Sequence, residues 1–231
     1  PIDRDAFDKG TSCYFPDRVI PMLPVELSNG ICSLNPKVDR LTLTTEMVID
    51  HQGNVIEHNI YESVICSDFR LVYDRITEIL ESGNCPSEYQ GIFPMLTLAR
   101  ELCLILRKRR FSEGSIDFNL PEPKIITSDD GAVTDIIKEP MGIANQIIEE
   151  FMIICNRTVA EHVSYMELPF VFRIHEKPDG EKAESFLTSM NALGHPLSGA
   201  PSNKKMQELL TSVKGERDEK IINTLLLRSM M

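Results

Sequence analysis

Apolar and polar positions partly alternate along Arg40–Asp50 and again along Val55–Cys66, with His51-Gln52-Gly53-Asn54 between the two runs. A period of two puts successive side chains on opposite faces, so the pair predicts an antiparallel hairpin. A second hairpin is predicted for Ile125–Thr127 and Val133–Ile137, turning at Ser128-Asp129-Asp130-Gly131. Short strands are expected at Ser115–Phe118 and Phe170–His175. Helical spacing appears after Ser67, a residue able to cap, with Leu71, Ile76, Ile79 and Leu80 on one side as far as Ser82. Pro94–Arg110 is a second helix, with proline in its first turn and Arg107-Lys108-Arg109-Arg110 at the negative end of its dipole.

The longest helix is expected from Pro140 to about His162. Its apolar residues Ile143, Ile147, Ile148, Phe151, Met152 and Ile154 form too broad a band for one narrow stripe, which predicts burial on most sides. Shorter helices are expected over Ile2–Lys9, stopped by Gly10, and Asp179–Leu193, stopped by Gly194. Another runs from a Ser202 cap to Lys214, and one more starts at Glu219. Lys9–Pro36 fits neither period, because Pro16, Pro21 and Pro24 keep the backbone extended or turning and Ser28-Asn29-Gly30 reads as a turn. Hairpins outnumber βαβ units. The fold class is α+β, with antiparallel hairpins in a mixed sheet packed against several helices.

Composition narrows this picture only slightly. The 231 residues are 42% hydrophobic and 26% charged, ordinary for a globular chain long enough to bury a core. No apolar run approaches the ~20 residues that span a bilayer, so no membrane partner is expected. The net charge of −11 argues against a protein that coats nucleic acid electrostatically, but a local groove can oppose the net field. The six cysteines form no C-x-x-C pair and read as reduced core thiols of a cytoplasmic protein. The five histidines have no metal spacing, and His175 is read as structural.

A few groups could carry chemistry. Tyr14 and Phe15 lie in a proline-rich run that can present a flat ring to a nucleic-acid base, although core rings explain them more simply. Glu149 and Glu150 are ~100° apart on their helix, so one points inward while the other faces water. The inward carboxylate requires a partner: a sugar hydroxyl, a nearby metal or a structural salt bridge. Arg107–Arg110 could meet phosphates, but a solvated helix end is the simpler reading. Asp129-Asp130-Gly131 fails calcium-loop spacing and reads as a turn, while Asp3, Asp5 and Asp8 read as an acidic first helical turn.

Several segments closely resemble the catalytic domain of the ribonuclease II / ribonuclease R (RNB) family. They are GTSCYFPDRVIPMLPVELSNGICSLNP (10–36), DFRLVYDRI (68–76), GSIDFNLPE (114–122), EPMGIANQIIEEFMIICN (139–156) and FVFRIHEKPDGEK (170–182). They follow the family order across nearly the whole chain, and VIPMLP, SIDF and RIHEKPD are similar to the ribonuclease R branch. The resemblance implies that residues 1–231 are the central part of a single RNB catalytic domain. It implies a processive 3′-to-5′ exoribonuclease that hydrolyses single-stranded RNA to nucleoside 5′-monophosphates with two metal ions, Mg2+ being the expected cofactor. The alternative is a non-catalytic RNA-binding module or pseudo-enzyme.

By the same resemblance, Tyr14 is one jaw of an aromatic clamp on the RNA 3′ end and Phe118 the opposite jaw. Tyr73 is an RNA-anchoring tyrosine, and Glu149 is the active-site glutamate, with Glu150 left open for that role. The family's metal-binding aspartates and catalytic arginine find no match here, so this chain is expected to supply no metal ligand, to be cut at both ends and to be inactive alone. Asp3, Asp5 and Asp8 are not promoted to ligands. The expected partner is the single-stranded RNA 3′ end, with no obligate protein partner evident.

Overall fold

The computed structural model describes residues 1–116, 123–128, 130–138, 141–174, 180–197 and 202–230. The chain separates into two compact units, which share out the long helices between them.

The first unit comprises Pro1–Asp50, Val55–Arg100 and Glu122–Glu149. Helix α1 (Ile2–Lys9) stops at Gly10, whose φ of 67° lets its N–H reach the Ala6 carbonyl. Strands β1 (Cys13–Tyr14) and β2 (Val19–Ile20) form a small antiparallel ribbon. The Phe15 N–H donates to the Arg18 carbonyl at 2.8 Å, so Pro16 and Asp17 make a two-residue turn. A single π-helical turn follows at Glu26–Ile31. Strands β3 (Asp39–Ile49) and β4 (Val55–Cys66) pair antiparallel with Asp39 opposite Cys66, and the register shifts between Val48 and Ile49.

Helix α2 (Tyr73–Ser82) begins later than its sequence pattern implies. Ser67 does not cap it; the Ser67 carbonyl instead accepts the Lys37 N–H at 2.8 Å beside a bridge between Pro36 and Ser67. Leu71 is consequently outside the helix and exposed, while Ile76, Ile79 and Leu80 are buried as expected. Helix α3 (Phe93–Ser112) contributes its residues up to Arg100 to this unit. Strands β5 (Pro123–Thr127) and β6 (Val133–Lys138) form the second predicted hairpin. Its turn is closed by the Gly131 N–H on the Ser128 carbonyl at 2.9 Å. Helix α4 (Ile143–Tyr165) belongs to this unit as far as Glu149.

The second unit comprises His51–Asn54, Glu101–Pro121 and Glu150–Met231. Its core is built by α5 (Gly180–Ala192), α6 (Asn203–Ser212) and α7 (Glu219–Ser229). Helical spacing brings Phe186 and Met190 of α5 against Met206, Leu209 and Leu210 of α6 and Ile222 and Leu226 of α7. Ser202 caps α6 as expected, its hydroxyl accepting the Lys205 N–H at 3.4 Å. The hairpin tip is also held here: the Arg109 guanidinium donates to the Gly53 carbonyl. A Cβ at Gly53, whose φ is 83°, would come 3.3 Å from the Arg109 side chain.

The α+β class stands, but the described strands form three separate two-stranded antiparallel sheets and not one mixed sheet. Residues 170–174 are not a strand, because among the described residues they have no strand to pair with; the rings of Phe170 and Phe172 pack edge to face instead, 5.1 Å apart. Ser115 and Ile116 are likewise irregular, and Asp117, Phe118 and His175 lie outside the described residues. Helix α4 is not buried on most sides. Ala144, Ile147, Glu150 and Thr158 are buried, whereas Ile148, Met152 and Ile153 are exposed.

Candidate nucleic-acid interface

Tyr14 sits on β1 opposite Val19, next to the two-residue turn. Its ring is 80% exposed and Phe15 is 47% exposed, which overturns the simpler expectation that both are core rings. The ribbon is too short to bury either side chain. It is braced by the Met22 N–H donating to the Ser12 hydroxyl at 3.0 Å, and by the Arg18 guanidinium 5.4 Å from the centroid of the Phe15 ring.

Tyr73 opens α2 and is exposed. One turn further on the same face, Thr77 anchors the start of α4. Its hydroxyl accepts the Ala144 N–H at 3.3 Å, while Asn145 accepts the Gly142 N–H at 3.2 Å. Any Cβ at Gly142 would collide with the Thr77 side chain, so glycine allows the two helices to meet. Glu149, half-buried, lies further along that helix. Tyr14, Tyr73 and Glu149 therefore all belong to the first unit. Phe118 lies outside the described residues.

Glu150 is the inward carboxylate, 2% exposed. Both of its oxygens accept from Arg110 Nε at 3.1 Å, Arg110 Nη2 adds a bond of 2.6 Å, and Arg107 approaches to 3.7 Å. This fork is the geometry of a strong charge-assisted pair. The salt-bridge alternative thus describes Glu150, and the reading of Arg107–Arg110 as a solvated helix end is corrected. Arg107 and Arg110 are largely buried and both stack over Phe111, at 4.7 and 5.0 Å. Burial pushes the neighbouring Glu113 carboxyl up, but hydrogen bonds from Arg157 and Arg109, with their charges, together hold it below the usual carboxylate range. The cavity among Leu106, Arg109, Glu150 and Arg157 is about 40 Å³. At ~10–15 Å³ per water it holds a few waters and is too small for a nucleotide.

Among the described residues, no three His, Cys, Asp or Glu side chains are grouped to hold a metal ion. The α1 aspartates serve their own helix: Asp5 pairs with Lys9 at 2.8 Å and Asp8 with Arg4 at 3.9 Å. All six cysteines are free thiols, but Cys13, Cys32 and Cys66 are exposed, which corrects their reading as core residues.

A further cluster escaped sequence reasoning. Lys37 Nζ lies 2.8 Å from Asp68 and 5.8 Å from the centroid of the Phe69 ring, which in turn lies 6.3 Å from the Tyr89 ring. The β3–β4 ladder pairs Asp39 with Cys66, and beside it the bridge between Pro36 and Ser67 sets Lys37 next to Asp68 and Phe69. The hydrogen bond from Lys37 and then its charge lower the Asp68 pKa.

Residues 1–231 match the family model described as RNB domain. Ribonuclease R of Thermotoga maritima is 42% identical over 234 residues, covering 99% of this chain and 33% of the relative. Ribonuclease R 1 of Lactococcus lactis is 39% identical, covering 100% of this chain and 29% of the relative. The chain thus spans about a third of the length of the curated relatives it matches. The structure of Mycoplasma genitalium RNase R in complex with ribose-methylated single-stranded RNA superposes with a TM-score of 0.93 at 27% identity, covering 100% of this chain and 36% of that one.

Proposed function

Because the chain belongs to the RNB domain family, we propose that it is the part of a processive 3′-to-5′ exoribonuclease that grips the 3′ end of single-stranded RNA during release of nucleoside 5′-monophosphates. The observation that carries this reading is the exposed Tyr14 ring, held on a ribbon closed by a two-residue turn. An open aromatic face on a braced support stacks on any base, a contact worth roughly 1–3 kcal/mol and indifferent to sequence. Such a contact also suits a chain of net charge −11, because stacking needs no overall basic field. The RNA-bound Mycoplasma genitalium RNase R, with the same fold, supports RNA as the ligand.

In this reading Tyr14 and Phe118 are the two jaws of the clamp and Tyr73 anchors the strand. Glu149 contacts the terminal nucleotide. Both compact units are parts of one RNB catalytic domain. RNB exoribonucleases depend on divalent metal, and Mg2+ is the ion proposed for the parent protein. The described residues form no group of three His, Cys, Asp or Glu side chains that fits it. The 231-residue chain alone is expected to be inactive, and Mg2+-dependent release of 5′-monophosphates by it would overturn that expectation.

The clamp is tested in the full-length protein by Tyr14→Ala and Phe118→Ala. Each is expected to weaken hold on the last few nucleotides by roughly 5- to 150-fold, the equivalent of one lost stacking contact. Unchanged RNA affinity together with unchanged end-product length in both variants sinks the assignment. RNA binding without any release of monophosphates by the full-length protein would assign it a non-catalytic RNA-binding role.

A further inference from the structure

The cluster around Phe69 combines rings and a cation in the way single-stranded nucleic acid is bound, and none of the roles above uses it. Phe69 follows β4 and remains 43% exposed. Its ring is supported by Tyr89, at an interplanar angle of 45°, and flanked by the Lys37 ammonium. Lys37 adopts a φ of 61°, a left-handed conformation shared, among the described non-glycine residues, only by Glu167. Lysine rarely adopts such a backbone, and it persists only where surrounding contacts over-determine it, often at ligand clamps. Here the Lys37 N–H is bonded to the Ser67 carbonyl and its ammonium to Asp68, each at 2.8 Å. The left-handed backbone thus holds a cation over the face of a half-exposed ring, a face that is freed when the ammonium moves to a phosphate.

The ion pair with Asp68 does not close the site. Both side chains are mostly exposed, and exposed pairs are weak enough for a phosphate to compete. We propose that Phe69, supported by Tyr89 and flanked by Lys37, is a further base-stacking subsite for single-stranded RNA, in which Lys37 exchanges Asp68 for a backbone phosphate. The inference rests on the RNA-binding reading and adds a contact to it.

The chain contains no tryptophan, which permits a direct test. Phe69→Trp and, in a separate protein, Tyr14→Trp each introduce a single fluorescent reporter at an exposed position. Each is titrated in EDTA with a ten-nucleotide oligoadenylate and with an abasic oligomer of equal length. The expected result is quenching of Phe69→Trp by oligoadenylate and not by the abasic oligomer. Adding Lys37→Gln to that reporter is expected to lower the slope of log affinity against log salt by about 0.7, the value for one phosphate contact on a single strand. Quenching of Tyr14→Trp with a silent Phe69→Trp overturns the subsite alone. Silence of both reporters removes the RNA reading and the subsite with it. Equal quenching of Phe69→Trp by the abasic oligomer overturns base stacking, and an unchanged salt slope overturns the phosphate exchange.

Discussion

The α5–α7 core and the strand-rich unit use their apolar residues in opposite ways. In the helical core Met190, Val213, Ile222 and Leu226 are fully enclosed. In the strand-rich unit Leu41 and Leu43 are 87% and 73% exposed, and Tyr14, Phe69 and Tyr73 are open as well. Each helix of the core turns one stripe inward, and three stripes can close on one another. A two-stranded ribbon offers two faces and has nothing of its own to cover either, so its rings stay available. Every described residue to which an RNA contact is assigned here lies in the open unit. On the proposed RNA-binding reading, stability and recognition therefore draw on different parts of the chain.

The largest expected effect comes from the deepest charge of the second unit. Glu150→Ala leaves Arg110 and Arg107 facing a buried gap and is expected to cost about 3–5 kcal/mol in urea denaturation. A much smaller loss would mean that the Arg–Glu fork is not a structural anchor. Next comes the contrast itself. Leu226→Ala should cost about 2–5 kcal/mol, whereas Leu41→Ala should stay within about 0.5 kcal/mol. Equal losses at the two sites, read from denaturation midpoints, would dissolve the distinction between closed and open regions.

The smallest effect is a pH limb. Glu113 is held below its ordinary range when folded. A depressed carboxylate contributes stability above its unfolded pKa and loses it as pH falls through the folded value. The denaturation midpoint should therefore fall on acidification through the carboxylate range, and Glu113→Gln should flatten that limb. An unchanged profile would show that the Arg109 and Arg157 contacts contribute nothing.

Legibility in the sequence followed the range of the interactions. The stop of α1 at Gly10, the long hairpin and the Ser202 cap are set by residues a few positions apart, and all three appear as expected. Ser67 as a cap and residues 170–174 as a strand failed because both depended on distant partners. The same limit applies to the candidate site. The family resemblance named Tyr14 and Glu149, but composition favoured a core ring for the first and could not say which of two adjacent glutamates turned inward.

By itself the sequence determined the α+β class, the helices with their stops and the two longer hairpins, because periodicity and turn chemistry act within a few residues. Only the tertiary structure decided that Glu150 is the carboxylate locked by Arg110, that the Tyr14 ring is open and that Lys37 meets Phe69. Burial and ion pairing depend on which distant surfaces come together, and no local pattern carries that information.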